Sequence, residues 1–217
     1  MTAKNTGRAT GIVLLVQLVG LILPFVLLLP LGRDFITSAA PAAMQIRMAV
    51  ILLFANGGLT IWLSLLVARA LRAERDSGAI WLVAAGIAMG ILQAVDNAFI
   101  LALVGVSERS VSGVAAAEAH VVSGEAIRLI RQWTHTVAIL AIDFWIVSLY
   151  VFLHRRHAVP RLVTAFGLGT TALHFVGIPL RSLLGYIPMA TLGMPMALGH
   201  LALAGWLIAK GWPREGQ

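Results

Sequence analysis

The chain has 217 residues, 59% of them hydrophobic and 12% charged, about half the charged share of an ordinary soluble domain. Its formal charge of +7 lies in short basic clusters between apolar runs and not on one polar face, which excludes nucleic-acid binding and marks the clusters as topology signals. With no cysteine, disulfides, thiolate metal sites, cysteine nucleophiles and covalently attached c-type haem are excluded as well.

Apolar runs of about 20 residues cross a bilayer as helices. Six such runs predict an all-α, polytopic membrane helical bundle with six transmembrane helices, a single transmembrane domain over 1–217. The first span is expected at 11–31. The start, "MTAKNTGRATGIVLLVQLVGLILPFVLLLPLG", has the basic flank of a signal peptide, but its apolar part is too long for one and lacks a small-residue cleavage site, so a retained helix is expected. The second span, 44–68, carries Asn56 near its middle, and the third, 79–105, contains "MGILQAVDNAFILALVG", where Gln93, Asp96 and Asn97 interrupt an apolar run. Residues 106–131 are predicted to form one long outer loop. Its alanine-rich stretch, with Glu125 three residues before Arg128, has the pattern of a short helix lying on the membrane, but a plain connector is favoured.

The fourth span is placed at 132–153, the fifth at 162–187 and the sixth at 190–209. His154 and His157 flank Arg155 and Arg156 in the turn after the fourth span and are read as solvated. Gly185, Pro188, Gly193 and Pro195 lie in "LRSLLGYIPMATLGMP", a concentration of breakers that predicts a tight turn between the last two helices. Lys4, Arg8, Arg69, Arg72, Arg75, Arg155, Arg156, Arg161, Lys210 and Arg214 fall on one side of the membrane, ten against six for Arg33, Arg47, Arg109, Arg128, Arg131 and Arg181. Positive residues near span ends stay cytoplasmic, so both termini are expected in the cytoplasm of a bacterial cell and the chain in its inner membrane. Trp81, Trp133, Trp206 and Trp212 lie near predicted span ends, as interfacial belt residues do.

Ionisable groups at membrane depth are costly and tend to face the bundle interior. At about 1.5 Å per helical residue, Asp96 falls roughly 24 Å from the inner end of its span, while Asp143, His174 and His200 fall near the midplane. Three- and four-residue steps put Gly86, Met89, Gly90, Gln93, Asp96, Asn97 and Ile100 on one stripe, and Gly167, Thr170, His174, Gly177 and Arg181 on another. The fourth span adds Arg128, Arg131, His135 and Ala138 on one stripe and Thr136, Asp143 and Tyr150 on its neighbour. Gly193, Met196 and His200 line up in the sixth. Small residues let helices approach closely in membranes, so these stripes predict an interior pocket, open to the outside, with arginines at its mouth and Asp and His deeper. The candidate ligand-binding residues are Gln93, Asp96, Asn97, His135, Asp143, His174, Arg181 and His200. Spacing leaves open which of them pair, and a purely structural role in holding helices together competes with binding.

The sequence resembles the DUF4386 family of bacterial integral membrane proteins. The likeness is carried by "GRATGIVLLVQLVGLI", "NGGLTIWLSLLVARAL", "VPRLVTAFGLGTTAL" and "MPMALGHLALAGWLIAKGW", and the closing "GWLIAKGW" is similar to the family's characteristic finish. The resemblance implies a six-helix membrane fold and assigns no catalytic residue. The family pattern has acidic residues where this chain has Gln93 and His200, so no site is carried over from it.

Together these readings predict an uncharacterised membrane protein that binds or transports a small molecule or lipid through an outward-facing pocket. Arg181, Arg128 or Arg131 would engage an anionic group. One alternative is a metal-dependent hydrolase using Asp143, His174 and His200, with Asp96 also available, although no H-E-x-x-H motif occurs. Another is a b-type haem protein ligated by His174 and His200. Membrane lipids are the expected surroundings, and no cofactor or oligomeric state is specified.

Overall fold

The computed structural model describes residues 3–32, 34–71, 76–113, 117–185 and 193–213. Among them there is helix and no strand: α1 (Ala3–Leu27), a 3-10 turn (Leu29–Leu31), α2 (Phe35–Ser38), α3 (Ala43–Ala70), α4 (Ser77–Val111), α5 (Ala117–Arg155), α6 (Arg161–Leu184) and α7 (Gly193–Lys210). In a bilayer every backbone N–H and C=O must be satisfied within the protein, which is why long apolar runs become helices. The first five long helices, α1 and α3 to α6, are long and apolar enough to cross a membrane. At 18 residues α7 is about 27 Å long, close to the roughly 30 Å hydrocarbon thickness.

Each long helix packs against the next in sequence, and α1 also packs against α7, so the six form a closed antiparallel ring. The surface inverts the soluble pattern. Val19, Ile51, Phe54, Ile91 and Val176 are exposed on the outside, while Asn56, Gln93, Asp96, Asn97, Asp143 and His200 are buried within. A broad exposed apolar surface around a polar interior identifies a multi-pass membrane protein.

The two ends of the ring differ. At the end that carries the start of α1 and the finish of α7, Leu14, Leu63, Leu82, Trp145, Leu149, Tyr150, Leu153, Leu203 and Leu207 fill the interior. We call this the closed end and the opposite one the open end. At the closed end Gly7 lies against the backbone of Gly211 and Trp212, and Gly11 against Ala204 and Ile208. Asp76 accepts a hydrogen bond of 2.7 Å from the Gly78 N–H, capping α4, and pairs with Arg156. That N–H bond and the adjacent guanidinium hold the Asp76 carboxyl below its ordinary range. Further in, the Trp145 Nε1–H donates to Ser64 Oγ (2.8 Å), and Gly86 on α4 leaves room for that approach. Gln17 of α1 donates to Thr60 of α3, whose hydroxyl donates to the Asn56 carbonyl.

The expected loop over 106–131 is a correction. α4 continues to Val111 and α5 begins at Ala117. With 35 and 39 residues these helices are about 52 and 58 Å long, so both project past the bilayer at the open end. The stretch turns polar because it leaves the membrane, and Ala, Glu and Arg sustain a helix in water. α2 braces this hairpin. Ser107 Oγ donates to the Ile36 carbonyl and accepts from the Ala40 N–H, Phe35 covers Gly124, and Arg47 Nη2 of α3 donates to both oxygens of Glu108, at 2.7 and 3.0 Å.

Other boundaries shift by a turn or two: α1 starts at Ala3, before the apolar run, and ends at Leu27. Gly185, at φ 74°, ends α6 in the left-handed conformation that glycine adopts without strain. Pro188, Arg33, Arg72, Arg75, Arg214 and the first residues expected in the sixth span lie outside the described residues. Trp81 and Trp133 are exposed as a belt requires, whereas Trp212 is 3% exposed, buried where α7 ends beside Gly7.

Candidate functional site

At the open end, opposite the packed core, side chains do not fill the interior of the ring. The ring surrounds a cavity of about 930 Å³. Gln17, Asn56, Met89, Trp145 and His200 lie at its deep end and Ile139, Ile142 and Ile178 along its walls, while Arg128, Arg131 and Arg181 stand toward the mouth. Among the described residues three arginines and three histidines (His135, His174, His200) line it, and no Asp or Glu does. A smaller space of about 320 Å³ adjoins it beneath the Leu29–Leu31 turn, lined by Gln93, Asp96, Arg131 and His135 among others.

The inward stripes of α4, α5 and α6 bring the ionisable residues into pairs. Asp143 is fully buried, and the His174 Nδ1–H reaches both of its oxygens, at 2.8 and 2.9 Å. The other ring nitrogen of His174 faces Gly193 at the start of α7. His174 therefore lines the cavity, with Asp143 behind it fixing the ring's orientation. A fully buried carboxylate is tolerated only with such a partner.

Asp96, 1% exposed, bonds to His135 Nδ1 at 3.1 Å and has the Arg131 Nε 3.5 Å away. That second contact is Coulombic, since neither Asp96 Oδ1 nor Arg131 Nε has a hydrogen-bond partner. Gln93 donates to Asn97 at 3.3 Å along the same face of α4. Asn97 lines neither space, and Gln93 lines only the smaller one. His200 stands edge-on to the Tyr150 ring with centroids 5.7 Å apart, and its Nδ1 lies 3.4 Å from the Met196 carbonyl.

The eight candidates thus divide. Asp143 with His174, and Asp96 with His135, form two carboxylate–imidazole pairs, Gln93 binds Asn97, and Arg181 and His200 line the large cavity separately. Among the described residues no three His, Asp or Glu side chains come together as a metal-binding group, so Asp143, His174 and His200 do not form the ligand set weighed for a hydrolase. For a haem shared by His174 and His200, the free nitrogen of His174 would have to turn from Gly193. The sequence reading missed Gln17, Thr136 as a lining residue, Trp145 and Ser182, all of which line the cavity. Gln17 was detectable, because "LLVQLVG" sets one amide in an apolar run just as the third span does.

The sequence model of one family, "Domain of unknown function (DUF4386)", matches residues 9–211, nearly the whole chain. No curated protein and no solved structure matches.

Proposed function

Because the chain belongs to the DUF4386 family, described only as a domain of unknown function, its activity has to be argued from its own site, and we propose that it binds a small molecule or lipid in the cavity inside its helical ring. One observation carries this reading: a space of about 930 Å³ lined, among the described residues, by three arginines, three histidines and no carboxylate. Ligand sites commonly span about 300–1,000 Å³, with apolar walls and a few placed polar groups. Arg128 and Arg131 already meet Glu125 and Asp96, whereas Arg181 lines the cavity with no acidic partner among the described residues and is free to meet an anionic group. The packed core at the closed end leaves the mouth near the arginines as the way in.

We place the protein in a bacterial inner membrane with both termini in the cytoplasm and the cavity opening outward. In the sequence ten Lys and Arg residues fall between spans on the side of the two termini and six on the other side, which supports that orientation.

The test is to extract and identify molecules that stay with the purified protein, comparing wild type with Ala197→Trp, which places an indole in the cavity. The expected result is a stoichiometric species on the wild type and little on the variant. Equal recovery from both, with the variant folded, would refute cavity binding.

A further inference from the structure

Resting on that binding reading, we infer that the occupant is a membrane lipid with an anionic headgroup, held at Arg181 with its chain crossing the apolar side of the mouth between α1 and α7. The mouth is lopsided. On the α5–α6 side the rim is polar, with Arg181 and Ser182 of α6 near Thr136 of α5, whose hydroxyl lies 3.4 Å from that of Ser182. On the α1–α7 side Ile22, Phe25 and Met194 line the cavity and are also 53%, 55% and 69% exposed. Side chains do both only where the cavity meets the outer surface. That surface faces lipid, so bilayer and cavity are continuous there. The tight glycine contacts between α1 and α7 involve Gly7 and Gly11, at the opposite end of the same seam.

Charge selects the headgroup. Arg128 is bonded to Glu125, and Arg131 lies against Asp96. Arg181 lines the cavity with no acidic partner among the described residues. An unpaired guanidinium donates to a phosphate or carboxylate in two-pronged, charge-assisted geometry, and the Ser182 hydroxyl adds a donor beside it, while the Thr136 hydroxyl donates to the Gln132 carbonyl at 2.9 Å. A free water-soluble anion satisfies Arg181 but leaves the walls wet, whereas an anionic lipid covers both surfaces at once.

The experiment mixes the full-length protein, in a neutral detergent, with phosphatidylglycerol, phosphatidylcholine of the same chains, or glycerol 3-phosphate, and counts bound molecules by native mass spectrometry. One phosphatidylglycerol should bind, with a preference over phosphatidylcholine of about tenfold or more, the worth of one charge-assisted hydrogen bond. Arg181→Gln should remove most of that preference without changing the melting temperature, and Arg109→Gln, away from the cavity, should preserve it. Equal binding of the two lipids would overturn the headgroup assignment while leaving a cavity ligand in place. Glycerol 3-phosphate binding as tightly as phosphatidylglycerol would overturn the lipid assignment in favour of a soluble anion. A phosphatidylglycerol that binds Ala197→Trp as well as wild type would place the lipid outside the cavity and refute both readings.

Discussion

Replacing His174 with leucine should destabilise the bundle by about 3–5 kcal/mol, the cost of stripping the partner from a buried charge. Asp143 is fully buried, and both its oxygens are within 2.9 Å of the His174 Nδ1. Leucine fills much of the imidazole's space, so the loss should come from the orphaned carboxylate. That attribution has its own check. Adding Asp143→Asn to His174→Leu removes the charge and should restore most of the lost stability, measured by thermal or denaturant unfolding in detergent. If the single variant melts like wild type, Asp143 does not depend on the imidazole. If the double variant is no better than the single one, cavity formation and not charge is responsible.

Gly7→Val should separate α1 from α7 and lower stability by about 1–3 kcal/mol or more, as overpacking does. A β-carbon at Gly7 would meet the backbone of Gly211 and Trp212, which cannot rotate away as a side chain can. Gly11, one turn on, would meet the Ala204 carbonyl at 2.7 Å. Gly58, with open space where its β-carbon would stand, is the control, and Gly58→Val should cost far less. A folded Gly7→Val protein as stable as Gly58→Val would mean that the α1–α7 contact does not close the ring.

The Gly7–Gly11 contact illustrates what was legible in the sequence and under what description. "GRATG" contributed to the family resemblance, yet it is also a small-xxx-small pattern through which membrane helices meet. The inward stripes were legible because period and residue size act together. Gly86, Met89, Gln93, Asp96, Asn97 and Ile100 are all buried. Helix ends were not, because hydropathy records where a chain leaves lipid and not where its helix stops, so α4 and α5 run on through the expected loop. Partners were only half legible. Depth along each helix brought Asp143 and His174 to the same level, but contact also needs α5 and α6 rotated toward each other, and spacing within one helix carries no information on that. His200 has the same depth and yet lies against Tyr150.

The most direct test of a ligand-binding cavity is an experimental density map of the wild-type protein in nanodiscs made with phosphatidylglycerol. The expected map shows a ring open at the arginine end, with elongated density from Arg181 past Ile178 toward the α1–α7 seam. A map in which α1 has closed onto α5, with Leu21 and Phe25 filling the space now bounded by Ile139 and Ile142, would contradict it.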